Sequence, residues 1–200
     1  VEIYGADAVR LFILSDSPPE KDIQWSESGM SSSFKFIQKF WGLCNQIIKV
    51  TKGKQLDSNP EINFFTNQAI DRINTALKKF RYNVIIAVFH EIFSFYKKVL
   101  EENKNYNNLE LNFTKILTVM LPVIPHLASE CLSNLKPKKT DFKWPELQKE
   151  FLKSDEKIIV IQINGKKRNT IAIKDEILED NLIKKIKEMK LIEKYIYEKE

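Results

Sequence analysis

Residues 33–52 read SFKFIQKFWGLCNQIIKVTK, and the spacing within them decides the fold class. Phe34, Ile37, Phe40, Trp41, Cys44, Ile47 and Ile48 recur every three or four positions, which lines them along one face of a 3.6-residue turn. Lys35, Lys39, Gln46 and Lys49 fall on the opposite face. A stripe of this kind needs other helices to cover it, and the chain supplies several. A second long helix is predicted from about Phe64 to Phe80 through Ala69, Ile73, Ala76 and Leu77. A third follows Asn83 and carries Val84, Val88, Phe89, Ile92, Phe95, Tyr96 and Val99. Residues 109–121 and 125–135 form a fourth and a fifth on either side of a PVIP break, with Pro125 suited to a first turn where no backbone donor is needed. Upstream, residues 6–15 read as a short helix that Pro18 and Pro19 end, with Ser26 or Ser28 as N-cap of the next helix. The expected fold is mainly α, an antiparallel helical bundle.

The pattern changes after residue 152. LKPKKTDFKWPELQKEF reads as a linker with few core candidates, and KIIVIQINGKKRNTIAI (157–173) is β-branched on both sides of Asn164–Gly165. Asn-Gly between two such runs signals a two-residue hairpin, because a type I′ turn needs positive φ at both central positions. A helix is expected from Lys174, its acids early and Lys184, Lys185, Lys187 and Lys190 late, in the order that complements the helix dipole. A lone hairpin is marginal, so this small α/β (ββα) unit is read as truncated, short of strands that a longer chain would supply.

Charged residues make up 30% of the 200 and hydrophobic ones 43%, enough for one fair-sized core with a small satellite. Disorder and a membrane location are both excluded on this reading, since no apolar run approaches the roughly 20 residues of a spanning helix. The start, VEIYGADAVRLF, lacks the basic and apolar regions of a secretory signal. Cys44 and Cys131 lie in apolar helical surroundings and fit reduced thiols in the cytoplasm. Net charge is +5, a mild preference for a polyanionic partner. The excess sits at both ends: residues 1–100 hold 13 basic against 10 acidic side chains, 101–152 hold 7 of each, and 153–200 hold 12 against 10. Lysine outnumbers arginine 28 to 4, and the abundance of Lys, Ile and Asn fits AT-rich coding more than chemistry.

Catalytic signatures are missing. Five glycines form no phosphate-cradling loop, and His90 and His126 are too far apart, and too far from the two cysteines, for a metal cluster or a triad. Both histidines are read as structural, His90 within a core helix and His126 as a cap or packing residue at a helix start.

YGADAVRLFILSDSPPEKDIQWSESG (4–29) resembles the segment that follows the KMSKS loop of class I aminoacyl-tRNA synthetases, sharing Gly5-Ala6-Asp7 and Arg10. Leu11-Phe12, Ser17-Pro18-Pro19-Glu20, Asp22, Trp25-Ser26 and Ser28-Gly29 are closer to leucyl than to isoleucyl or valyl enzymes. Arg81-Tyr82-Asn83 resembles the leucyl family's Arg-Phe-Asn turn, Pro125-His126 with Ser129-Glu130 its Pro-His helix, and Trp144-Pro145 its Trp-Pro linker. Gln162 to Arg168 is similar to the hairpin that opens the C-terminal domain of bacterial-type leucyl-tRNA synthetases.

The resemblance implies three parts: a stem-contact connector (1–30), a helical anticodon-binding domain (31–152) and a partial α/β C-terminal tRNA-binding domain (153–200). It implies no catalytic site and no cofactor in this stretch, with ATP and Mg2+ serving the whole enzyme. The implied partners are tRNA(Leu) and the catalytic and editing domains of the same polypeptide, in a cytoplasmic monomer. tRNA-binding candidates are Lys35 and Lys39, one turn apart, and Lys166, Lys167 and Arg168 beside the hairpin turn. Lys39 stands where the family has arginine, so it lacks the bidentate fork. Asp7 and Arg10, three apart, are expected to form a structural ion pair, Arg81 and Asn83 to fix a helix-to-helix turn with Asn83 as cap, and Trp25 and Trp41 to pack. Two other readings stand beside this one: the equivalent region of an isoleucyl- or valyl-tRNA synthetase, and a non-catalytic helical protein-interaction module.

Overall fold

The helical spacing is realised in six helices: α1 (Ala6–Asp16), α2 (Glu27–Thr51), α3 (Pro60–Lys78), α4 (Tyr82–Glu101), α5 (Leu109–Met120) and α6 (Pro125–Leu135). A two-stranded antiparallel sheet comes after them, β1 (Glu156–Ile163) and β2 (Lys166–Lys174). The computed structural model describes residues 1–16, 22, 24–55, 57–102, 104–136, 141–152, 156–163 and 166–174. The helix expected from Lys174, the Pro18–Pro19 stop and the Asn164–Gly165 turn lie outside these. The chain divides into two units, Val1–Leu152 and Lys153–Glu200.

In the first unit α2 begins six residues before Ser33, because Ser26 caps it: its hydroxyl accepts from the Gly29 amide at 3.2 Å. The buried stripe is Met30, Ser33, Phe36, Phe40, Leu43, Cys44 and Ile47, with Ile37, Trp41 and Ile48 half-buried at its edge. It is rotated from the expected stripe because neighbours press on it from two sides, and so Phe36 and Leu43 are covered more fully than Phe34. Gly29 allows the closest of these approaches. A Cβ there would stand 2.6 Å from the Phe12 ring, so the start of α2 can lie against α1 only without a side chain.

Asn59 caps α3 by accepting from the Glu61 amide at 2.9 Å, ahead of Pro60 in the first turn, four residues before the expected start. The Asn108 side chain then clasps the Asn59 backbone both ways, its oxygen accepting from the Asn59 amide and its nitrogen donating to the Asn59 carbonyl. Asn63 Oδ1 accepts from both Asn108 and Asn112. The asparagines that look like coding bias in the sequence therefore fasten the α2–α3 connection to the start of α5.

The core draws on all six helices, with an aromatic centre. Phe40 stacks on Phe113 at 6.1 Å, and Tyr96 meets Phe113 edge-on at 5.1 Å. The Tyr96 hydroxyl is hydrogen-bonded to Thr66 at 2.9 Å, and burial pushes the phenol up. Residues 141–152 are not a bare linker. Trp144 Nε1 donates to Asn74 Oδ1 at 3.0 Å, the Gln148 amide to Asn67 Oδ1 at 2.9 Å, and Phe142 and Leu147 pack on the core. The stretch is a strap across α3.

In the second unit β1 pairs with β2 from Glu156↔Lys174 to Ile163↔Lys166. The period-2 pattern holds: Ile161 and Ile171 are buried and Val160 is exposed. The register passes from Ile161↔Asn169 to Gln162↔Lys167, which leaves Arg168 as the extra residue of a β-bulge.

Candidate nucleic-acid interface

The charged residues singled out from the sequence separate by whether the fold has already used them. Asp7 and Arg10 do not pair with each other. Asp7, buried to 6% exposure, reaches 120 positions along the chain to the first turn of α6. There Oδ2 accepts from the Leu127 amide at 2.6 Å, and Oδ1 from the His126 amide at 3.3 Å and the His126 ring at 2.9 Å. The N-cap residue of α6, Ile124, has no side-chain acceptor, so a carboxylate from α1 serves the exposed amides and the positive end of the helix dipole. Arg10, one turn on, donates to the carbonyls of Val123 at 2.8 Å and Pro122 at 2.7 Å, where the proline break strips α5 of its ladder. Asp7, Arg10 and His126 thus form one clamp that seats α1 on the α5–α6 corner. An i, i+3 ion pair was the local expectation, and the long-range orphan backbone groups outbid it.

Trp25 is 66% exposed, with only an edge against Phe12 at 5.4 Å, so packing accounts for part of the ring alone. It rims an open cleft of about 700 Å³ between α1, α2 and α4 that also includes Gln24, Phe36 and His90. His90 rests one ring face on Phe36 at 4.4 Å, and the desolvation on that side pulls its pKa down. Trp41 is half-buried against the core.

Lys35 and Lys39 are exposed on the outer face of α2. Neither has an ion pair or hydrogen-bond partner among the described residues, so their charge is available. Lys166, Lys167 and Arg168 open β2, with Arg168 at the bulge.

The α3–α4 turn holds what the sequence did not disclose. Phe80 sits in the left-handed region at φ 52°, a position that glycine normally takes. The turn is closed by backbone alone: the Arg81 amide donates to the Ala76 carbonyl at 2.9 Å and the Phe80 amide to the Leu77 carbonyl at 3.1 Å, the paired bonds of a Schellman motif. Arg81, not Asn83, stands at the N-cap of α4 and makes no side-chain cap bond, while Asn83 lies inside the helix. Lys78, Lys79, Phe80 and Arg81 are four consecutive exposed residues, and their three cations are unpaired among the described residues. Beside them is a shallow recess of about 280 Å³ lined by Asp71, Arg72, Thr75, Lys79, Arg81 and Val84. Arg72 is spoken for by a bidentate pair with Glu91, which draws the Glu91 pKa down. A hint was present in the sequence: Lys-Lys-Phe-Arg between two apolar stripes, with no glycine where a helix had to reverse.

Residues 59–183 match the family model described as the anticodon-binding domain of tRNA ligase. Over 200 residues the chain is 32% identical to the leucine–tRNA ligase of Rickettsia bellii, covering 98% of this chain and 24% of that protein. With the leucine–tRNA ligase of Maricaulis maris it shares 31% over 181 residues, covering 86% of this chain and 21% of that one. The chain therefore spans about a quarter of the length of the curated relatives it matches. Among solved structures it is similar to a leucyl-tRNA synthetase of Agrobacterium radiobacter in a ternary complex with tRNA and LeuAMS. The TM-score is 0.72 at 17% identity, covering 97% of this chain and 26% of the other, a likeness of fold. No described helix is long and apolar enough to cross a membrane.

Proposed function

The chain belongs to the anticodon-binding-domain family of tRNA ligases, and we propose from that premise that it is the tRNA-binding portion of a leucine–tRNA ligase. Coextension carries the reading. The alignment to the Rickettsia bellii enzyme runs over 98% of the chain, taking in both the bundle and the hairpin, which a shared bundle alone would not produce. In this reading the parent enzyme is a cytoplasmic monomer that joins leucine to tRNA(Leu) with ATP and Mg2+, through catalytic and editing domains elsewhere in the polypeptide. This stretch is assigned the positioning of tRNA, which the match of residues 59–183 to an anticodon-binding domain supports.

The division of charge supports that assignment. Asp7, Arg10 and His126 are consumed in holding α1 on α6, whereas Lys35 and Lys39 are left free one turn apart, as backbone-positioning contacts to phosphate require. Lys166, Lys167 and Arg168 are a second group for the same polyanion, placed at an irregular point of the hairpin.

The test is binding of the 200-residue chain to a leucine tRNA transcript and to a tRNA with a short variable arm, across a salt series. Salt-sensitive binding that favours leucine tRNA is expected, and Lys35→Glu with Lys39→Glu should flatten the log–log slope by roughly 1–2. Equal affinity for both RNAs, matched by an unrelated protein of similar basicity, would sink the reading.

A further inference from the structure

We propose that the α3–α4 turn is a stacking platform for an unpaired RNA base, with Phe80 as the platform and Lys78, Lys79 and Arg81 as its phosphate contacts. The inference rests on the tRNA-binding reading and goes beyond it, because the cations of α2 and β2 require only backbone contact.

Three observations converge on the turn. Phe80 is 63% exposed, touched by Tyr82 edge-on at 6.4 Å, so most of its ring has no intramolecular use. Its backbone is held at φ 52°, which a residue with a β-carbon adopts at a cost, and an aromatic side chain gains nothing there by itself. The two Schellman hydrogen bonds fix that backbone, so the ring projects from a rigid corner and little freedom is lost when a base lies on it.

The charge around the ring has the matching sign. Lys78 and Lys79 in the last turn of α3 are in part explained by the helix dipole, but Arg81, which begins α4, stands at the positive end of its own helix, where that explanation is reversed. Asp71 is the sole carboxylate lining the recess beside the turn, against Arg72, Lys79 and Arg81. A flat aromatic flanked by mobile cations accepts a base on its face and the adjoining phosphates at its sides, the arrangement by which proteins hold splayed nucleotides. A paired duplex hides its base faces and would use the cations alone.

The experiment compares two RNAs against the 200-residue chain: a hairpin with an unpaired loop carrying 2-aminopurine, and a blunt duplex of the same length. Phe80→Ala should weaken hairpin binding roughly tenfold and abolish the 2-aminopurine fluorescence change, while leaving duplex binding unaltered. Phe80→Tyr should restore both signals. Phe80→Gly provides the control for folding, because it relieves the backbone and should bind as Phe80→Ala does while unfolding no more easily than the parent chain. Lys79→Glu with Arg81→Glu should weaken both RNAs. Hairpin binding by Phe80→Ala equal to that of the parent chain, or equal losses on hairpin and duplex, overturns the proposal and assigns the ring to a protein surface. If the parent chain binds neither RNA, the tRNA-binding reading falls with it. If it binds both and Phe80→Ala changes nothing, only the platform falls.

Discussion

The start of α6 and the end of α3 are both helix termini in the same bundle, and they are finished in opposite ways. At α6 the chain brings in side chains from far away: Asp7 covers the amides of His126 and Leu127 from 120 positions off. At α3 nothing is brought in, and the backbone closes on itself around Phe80. The first solution uses up every charge it involves, and the second leaves three cations and an aromatic ring facing water. Charge that satisfies the fold cannot also recognise a partner, so the two termini divide scaffold from recognition.

That division can be broken in a graded series. Asp7→Ala should have the largest effect, about 3 kcal/mol lost, because three donors at a helix start lose a charged acceptor. Urea unfolding followed by circular dichroism reads it, and a loss below about 1 kcal/mol would mean that water replaces the clamp. Gly29→Ala tests a third helix start, where α2 meets α1. Forcing a methyl group 2.6 Å from the Phe12 ring should cost about 2 kcal/mol in the same assay. Phe80→Gly should act in the other direction and stabilise by about 0.5–1 kcal/mol, since relief of the left-handed backbone exceeds the added freedom of the unfolded chain. Destabilisation instead would show that the Phe80 ring packs after all.

The smallest effects belong to the surface. Glu91 is held below its usual 4.5 by Arg72, so the pair contributes stability that is fully present above that value and lost as pH falls through the lowered one. Both partners are about half exposed, and Glu91→Gln should therefore cost under about 1 kcal/mol near neutral pH and nothing in strong acid, seen by comparing unfolding midpoints across pH. Arg81→Ala should change stability by less than about 0.5 kcal/mol, against a clear loss for Arg10→Ala. If the two arginines cost the same, the division between consumed and free charge is wrong.

Local signals were legible where one element carried them. Apolar spacing disclosed every helix of the bundle, Ser26 and Pro125 marked helix starts, and β-branched runs around Asn164–Gly165 marked the paired strands. What stayed hidden depended on partners far along the chain. Asp7 and Arg10 look like a pair at i, i+3, and nothing nearby says that an uncapped Ile124 and a proline break await them. The early start of α3 was masked by an Asn-bearing stretch that reads as a loop until Asn108 is seen to fasten it. Phe80 escaped notice because a left-handed turn is normally announced by glycine, and here the constraint comes from the reversal of α3 into α4. The missed residues are thus those whose role is set by geometry between elements and not within one.

The strap from residue 141 to Leu152 has a mechanical consequence. Its hydrogen bonds run to Asn74 and Asn67 on α3 and to Lys115 on α5. Tension arriving along the chain at Leu152 therefore enters the bundle through α5 and through α3, the helix that ends in the Phe80 corner. Pulling the chain from its two ends should load the joint between α1 and α6 from one side and the strap on α3 and α5 from the other.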